Sequence, residues 1–228
     1  MRVLSPVSTF VAASLALCAS AAFALPIFPS SYDMNNGHGV TSSGSFNYWD
    51  LEYTGSGATN VDNAPLSGGL GNLTDGVVTA QNWFNVENLA GTGPYVGWRS
   101  AVLPDLSMTF HFPGLVDIDT IRIHADDSAG AGGVSLPSSA IFTWAGGSAA
   151  LPISDPDLGT GPSWLEFSML GISGVDSLTV QLGYLNEWIF VDEVAFDGAL
   201  APVPEPTTAV LMALALMGFG FTTRRRRA

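Results

Sequence analysis

Between residues 25 and 200, apolar side chains recur at every second position in short runs, not at the three-to-four spacing of a helix face. Residues 107–112 alternate throughout, with Ser107, Thr109 and His111 on one side and Met108, Phe110 and Phe112 on the other. Residues 120–124 place Ile121 and Ile123 on one face and Arg122 and His124 on the opposite one. Residues 46–53 alternate through their second half, and 140–144, 164–168, 177–182 and 188–196 are further runs rich in β-branched and aromatic residues. Gly, Pro, Asn, Asp and Ser separate all of them. The pattern predicts an all-β domain, an antiparallel β-sandwich of the jelly-roll type. It argues against an α/β fold, which would interleave helical patterns between the strands.

The two ends read differently. Residues 1–24 combine Arg2, an apolar stretch over 7–19 and a small-residue Ala22, Phe23, Ala24 cleavage site, which is the form of a signal peptide removed by signal peptidase. Leu17 is too bulky in front of Cys18 for a lipoprotein signal. At the other end, Val203, Pro204, Glu205 and Pro206 precede an uncharged run over 207–223, and Arg224, Arg225, Arg226 and Arg227 follow it. As a helix that run would extend roughly 25 Å, short for a bilayer core of about 30 Å. The four arginines would hold the terminus on the cytoplasmic side, making this a membrane-stop. The expected division is therefore 1–24 signal-peptide helix, 25–200 β-sandwich, 201–228 sorting and transmembrane tail.

Charge sharpens this division. Arg99 and Arg122 are the only cations between residues 25 and 203, against 19 of the 20 acidic residues, and the chain has no lysine. So acidic a domain has no surface with which to displace counterions from nucleic acid. The single cysteine, Cys18, lies in the leader, so the expected mature domain has neither a disulfide nor a thiolate metal site.

The order of Pro-Glu-Pro, apolar run and arginine cluster resembles the PEP-CTERM sorting signal of Gram-negative bacteria. That resemblance implies export across the inner membrane, transient anchorage, and processing by an exosortase at Val203, Pro204, Glu205 and Pro206. By association it implies a place in the extracellular matrix or biofilm, with extracellular polysaccharide as partner. Within the domain, a glycine-rich loop over 66–76 ends in Thr74, Asp75 and Gly76, and a last run over 188–198 carries Asp192 and Glu193 side by side. The pair resembles galactose-binding-like jelly rolls of the discoidin type, in which an early Asp-Gly loop and a final-strand glutamate meet at a structural calcium.

Calcium takes six to eight oxygens from carboxylates and backbone carbonyls. A glycine-rich loop can turn several carbonyls to one point. Asp75 and Glu193 would supply charge, with Asn72, and further Thr74 and Leu70, as contributors. Against this, Asp192 and Glu193 at a fraying strand end would simply be solvated.

Other chemistry has little support. Asp117 and Asp119, Asp126 and Asp127, and Asp155 and Asp157 are pairs expected by chance in so acidic a domain, each beside a turn. His38, His111 and His124 show no metal or triad spacing, and no Gly-x-Ser-x-Gly is present. The six tryptophans, all in the domain, could stack on sugar rings or fill the core. Trp144 and Trp188, within strand patterns, are read as core. Tyr95, Trp98 and Arg99, in a Gly- and Pro-rich loop, are read as the ligand-binding surface. The sequence thus predicts a non-catalytic exported module that binds glycan. An extracellular polymer hydrolase and a purely structural surface protein are the alternatives.

Overall fold

The computed structural model describes residues 24–39, 46–154 and 159–201. The expected signal peptide, the sorting tail with its arginines, and Asp155 and Asp157 lie outside the described residues. Among the described residues no helix is long and apolar enough to cross a membrane.

The strands are β1 (Leu25–Ile27), β2 (Ser31–Asn35), β3 (Pro65–Gly69), β4 (Val96–Arg99), β5 (Leu106–Ala125), β6 (Ser139–Trp144), β7 (Gly147–Pro152), β8 (Ser163–Gly183) and β9 (Trp188–Leu200). One four-residue helix, α1 (Trp83–Val86), interrupts them. All ladder pairings between these strands are antiparallel, in the order β1-β9-β5-β8-β6-β7, with β2 on the first half of β5, β3 on β2, and β4 on β9.

The long strands β5 and β8 make this one sheet into two facing layers. Leu106 to His111 of β5 pair with the end of β8 and with β2, while Thr120 to Ala125 pair with the start of β8 and with β9. Register shifts between His111 and Thr120 mark the bend. Gly171 and Gly174 carry φ of 70° and 62° across from it, in the left-handed region open to glycine. Bulges of this kind let a continuous ladder turn a corner. The layers then meet through their aromatics. Phe110 of one half packs edge-on to Phe196 of the other at 5.0 Å, and Phe142 to Phe167 at 4.9 Å. Met108, Ile121, Ile123, Val180 and Val194 fill the space between them and are buried. The predicted antiparallel sandwich is the observed architecture.

Two local expectations change. The runs 107–112 and 120–124, expected as separate strands, are the two ends of β5, and 164–168 and 177–182 are likewise the two ends of β8. Residues 46–53 do not form a strand at all. There Asn47 Oδ1 accepts the Trp49 N–H at 3.1 Å and Asn36 Oδ1 accepts the Asp50 N–H at 2.9 Å. Side-chain amides have taken the backbone groups a ladder would need.

Candidate functional site

Strand β9 is buried on both sides. Ile189 and Val191 face the main core, and Phe190, two positions away from Trp188 on the opposite face, enters a second aromatic cluster with Tyr48, Tyr95 and Val134. Phe46, Trp83, Val86 and Trp188 pack around that cluster and are half-buried. Trp188, Phe190 and Trp83 form a row: the first two rings lie 5.8 Å apart at 5°, the next two 5.9 Å apart at 13°. Tyr48 meets Phe190 edge-on at 4.6 Å, and Phe46 meets Trp83 at 5.0 Å. Together with His38, Arg99, Gly132 and Glu187 they line a groove of about 250 Å³.

The β4–β9 register builds the groove rim. Arg99 stands opposite Trp188, and its guanidinium lies 5.8 Å from the indole centroid. Its Nε donates to Glu187 Oε1 at 2.6 Å. Gly97 stands opposite Phe190, and a Cβ there would meet Phe190 Cε1 at 2.0 Å, so this close ring-on-backbone approach requires glycine. On the far wall, Trp83 Nε1 has no hydrogen-bond partner among the described residues.

Trp83 is carried by a long irregular loop over 70–95, which has little regular structure to satisfy its backbone. Buried carboxylates from the sheet do so instead. Glu193 Oε2 accepts the Gly76 N–H at 2.8 Å, Asp192 Oδ2 accepts the Thr79 N–H at 3.0 Å, and Asp126 Oδ2 accepts the Trp83 N–H at 2.9 Å. Asn82 Nδ2 adds a bond to Asp126 Oδ1 at 2.8 Å, and Glu87 Oε1 accepts the Tyr95 N–H at 2.9 Å from within the loop. His124 Nδ1 lies 2.5 Å from Asp192 Oδ1. A register shift in β9 sets this up: Ala125 pairs with Val191 but His124 with Glu193, so Asp192 is the extra residue of a bulge. Both carboxylates are buried, Asp192 fully and Glu193 to 8% exposure, which rules out the solvated strand end.

Burial raises the proton affinity of several acids around this loop. Burial, then the charges of Asp75 and Asp192, pushes Glu193 up to about 7. Burial, then Asp192 and Asp126, pushes Glu87 up to about 8. Asp50, Asp75 and Asp126 are raised as well, each chiefly by burial.

Of the expected metal ligands, Asp75 and Glu193 are brought together across the loop-to-β9 contact. Asn72 turns elsewhere, its Nδ2 donating to the carbonyls of Gly93 and Pro94 at 3.2 and 3.3 Å. Among the described residues no three His, Asp or Glu side chains form a group that could hold a metal ion. The donor chemistry still suits a hard cation. Two mutually repelling carboxylates adjoin a loop in which Thr74 Oγ1 is buried without a partner among the described residues.

The expected ligand surface is corrected by burial. Trp98 is fully buried in the main core and donates its Nε1–H to the Asn35 carbonyl at 2.8 Å. Tyr95 is fully buried and donates its hydroxyl to the Gln81 carbonyl at 2.9 Å. Neither ring can meet a ligand, and of the three only Arg99 lines the groove. Conversely Trp188, read as core, is a groove wall. Phe46, Tyr48, Trp83, Glu187 and Phe190 were not anticipated. The available signal was Trp188-Ile189-Phe190-Val191, in which both faces of one strand are apolar and so require two separate coverings.

Comparison with known proteins agrees with both halves of the sequence reading. The family model for the discoidin domain-containing receptor 1/2 DS-like domain matches residues 30–142, and that for the PEP-CTERM protein-sorting motif matches 202–227. The chain is 26% identical over 183 residues to discoidin domain-containing receptor tyrosine kinase B of Caenorhabditis elegans, covering 77% of this chain but only 22% of that receptor's length. Among solved structures it is similar to the F5/8 type C domain of a Bacteroides fragilis protein (TM-score 0.35, 13% identity, 46% of this chain and 74% of the other). A second is the N-terminal domain of the single-strand break repair protein XRCC1 (TM-score 0.29, 10% identity, 40% and 72%). Both superpositions are too loose to carry an argument. The sorting motif marks an exported, exosortase-processed protein, and domains of the discoidin type are typically non-catalytic binding modules. The chain thus joins a β-sandwich domain similar to the discoidin type to a PEP-CTERM protein-sorting motif.

Proposed function

We propose that this is a non-catalytic glycan-binding protein, displayed at the surface or in the extracellular matrix of a Gram-negative bacterium after exosortase processing. The observation that carries the reading is the groove over Trp188, Phe190 and Trp83, with Arg99 and Glu187 on its rim. Half-buried indoles lining a groove offer flat apolar faces to the C–H side of a pyranose ring. Arg99 and Glu187 offer a fixed donor and acceptor to hydroxyls at the ring's edge. A few placed polar groups over an aromatic floor is the usual make-up of a small-ligand site.

The hydrolase alternative lacks such support. Asp126 and Asp192 are occupied with loop N–H groups, and Asp117 Oδ1 accepts the Gly174 N–H at 2.7 Å. Calcium, held by Asp75 and Glu193 with carbonyls of the 70–76 loop, is part of the same proposal as a structural ion that would relieve their repulsion. A glycan array with the purified protein tests the reading. It predicts binding to a defined set of oligosaccharides that Trp83→Ala weakens, and a blank array at high protein concentration would refute it.

A further inference from the structure

The sheet ends at β7, and among the described residues no strand pairs with its outer side. The β6–β7 hairpin closes on Trp144 opposite Gly147. Hydrogen-bonded pairs alternate outward from such a closing pair, so Gly147, Ala149 and Leu151 direct their backbone groups to β6. Ser148 and Ala150 then turn their N–H and C=O groups to the open edge. Native edges are normally blunted by a charge, a bulge or a covering element. The β6–β7 register runs from Ser139↔Pro152 to Trp144↔Gly147 without a shift, and residues 128–154 form a stretch of 27 with no ionisable side chain. Only Pro152, at the far end, interrupts the edge. The neighbouring outer face, with Ile141, Thr143, Thr179 and Gln181, is uncharged too.

We propose that β7 is a self-association edge, pairing antiparallel with β7 of a second copy. Ser148 would stand opposite Ala150 of that copy and the two-fold axis would pass through Ala149. A strand of small side chains is complementary to itself in this register, as an isologous contact must be. Charge selects the site. A domain carrying 19 acids repels its own kind, and 128–154 is where two copies approach without setting carboxylate against carboxylate. The register supplies about four new backbone hydrogen bonds, so the dimer is weak and forms with rising concentration.

The test uses the full chain with Cys18→Ser and a single new cysteine at Ala149→Cys. Position 149 meets its own copy in a non-hydrogen-bonded pair at about 4.5 Å between Cα atoms, within disulfide reach. Mild oxidation is expected to give a covalent dimer at least about tenfold faster than the same chain with Leu185→Cys, an exposed site elsewhere. Adding Ala150→Lys, a guard charge on an exposed position, is expected to remove that advantage although it lowers the net negative charge. Equal rates for the two cysteines, or a rate indifferent to Ala150→Lys, would overturn the proposal. So would slow amide exchange at Ser148 and Ala150 in the dilute monomer, which would show the edge covered by the chain itself.

Discussion

Glu87→Gln probes what so many buried acids do to stability. Glu87 is 6% exposed, its Oε1 accepts the Tyr95 N–H, and its Oε2 has no partner among the described residues. Burial lifts its carboxyl from 4.5 to about 8. The native state therefore binds this proton more tightly than the unfolded chain. Its stabilising effect is complete below pH 4.5 and is lost as pH rises through 8. At roughly 1.4 kcal/mol per unit, the full loss is on the order of 3–5 kcal/mol, against about 5–15 kcal/mol for a whole domain. Asp50, Asp75, Asp126 and Glu193 slope the same way, so the comparison must be between variant and wild type. Glutamine keeps the acceptor for Tyr95 and stays neutral at every pH, at a cost of about 1–3 kcal/mol for its unpartnered amide. Urea denaturation at pH 5 and pH 8.5 is expected to show wild type less stable at the higher pH. Glu87→Gln should be the weaker of the two at pH 5 and lose much less on the way to pH 8.5. Parallel pH profiles for the two proteins would refute the assignment, as would a wild type more stable at pH 8.5 than at pH 5.

Trp98→Ala should cost about 3–5 kcal/mol in denaturant unfolding, as emptying a core site does, whereas a ligand-facing tryptophan would cost far less. For calcium, adding a chelator to the purified protein is expected to lower its melting temperature and free calcium to restore it; an unchanged temperature would remove calcium from the account. Intact-mass spectrometry of the exported protein is expected to show a new C-terminus near Val203, Pro204, Glu205 and Pro206. A mass that retains Arg224 to Arg227 would contradict processing there.

How much of this was legible in the sequence depended on how local the cause was. The strands were, because alternation such as Met108, Phe110, Phe112 is written residue by residue and burial of one face enforces it. The false strand over 46–53 shows the limit. Its alternation is real, but Asn36, 14 residues before Asp50, captures the Asp50 N–H, and no local pattern records that partner. The same holds for the site. That the 74–76 loop meets Glu193 came from a family resemblance, and the structure shows the contact as Gly76 N–H to Glu193. The groove was illegible because it depends on a register, Arg99 opposite Trp188 and Gly97 opposite Phe190, that brings together residues nearly a hundred positions apart. Tyr95 and Trp98 were misplaced for a related reason. Their Gly- and Pro-rich setting suggested an exposed loop, while Val96 to Arg99 is in fact a strand laid against β9.

The central claim is that glycan binds over Trp188. Isothermal titration with an oligosaccharide selected on the array, using wild type and Trp188→Ala side by side, tests it most directly. Trp188 is half-buried at the edge of the second cluster and outside the main core, so its removal should leave the fold intact by circular dichroism while losing a stacking face. The account predicts affinity at least about tenfold weaker, or roughly 1.4 kcal/mol, in the variant. Undiminished binding by a folded Trp188→Ala protein would place the ligand elsewhere and contradict it.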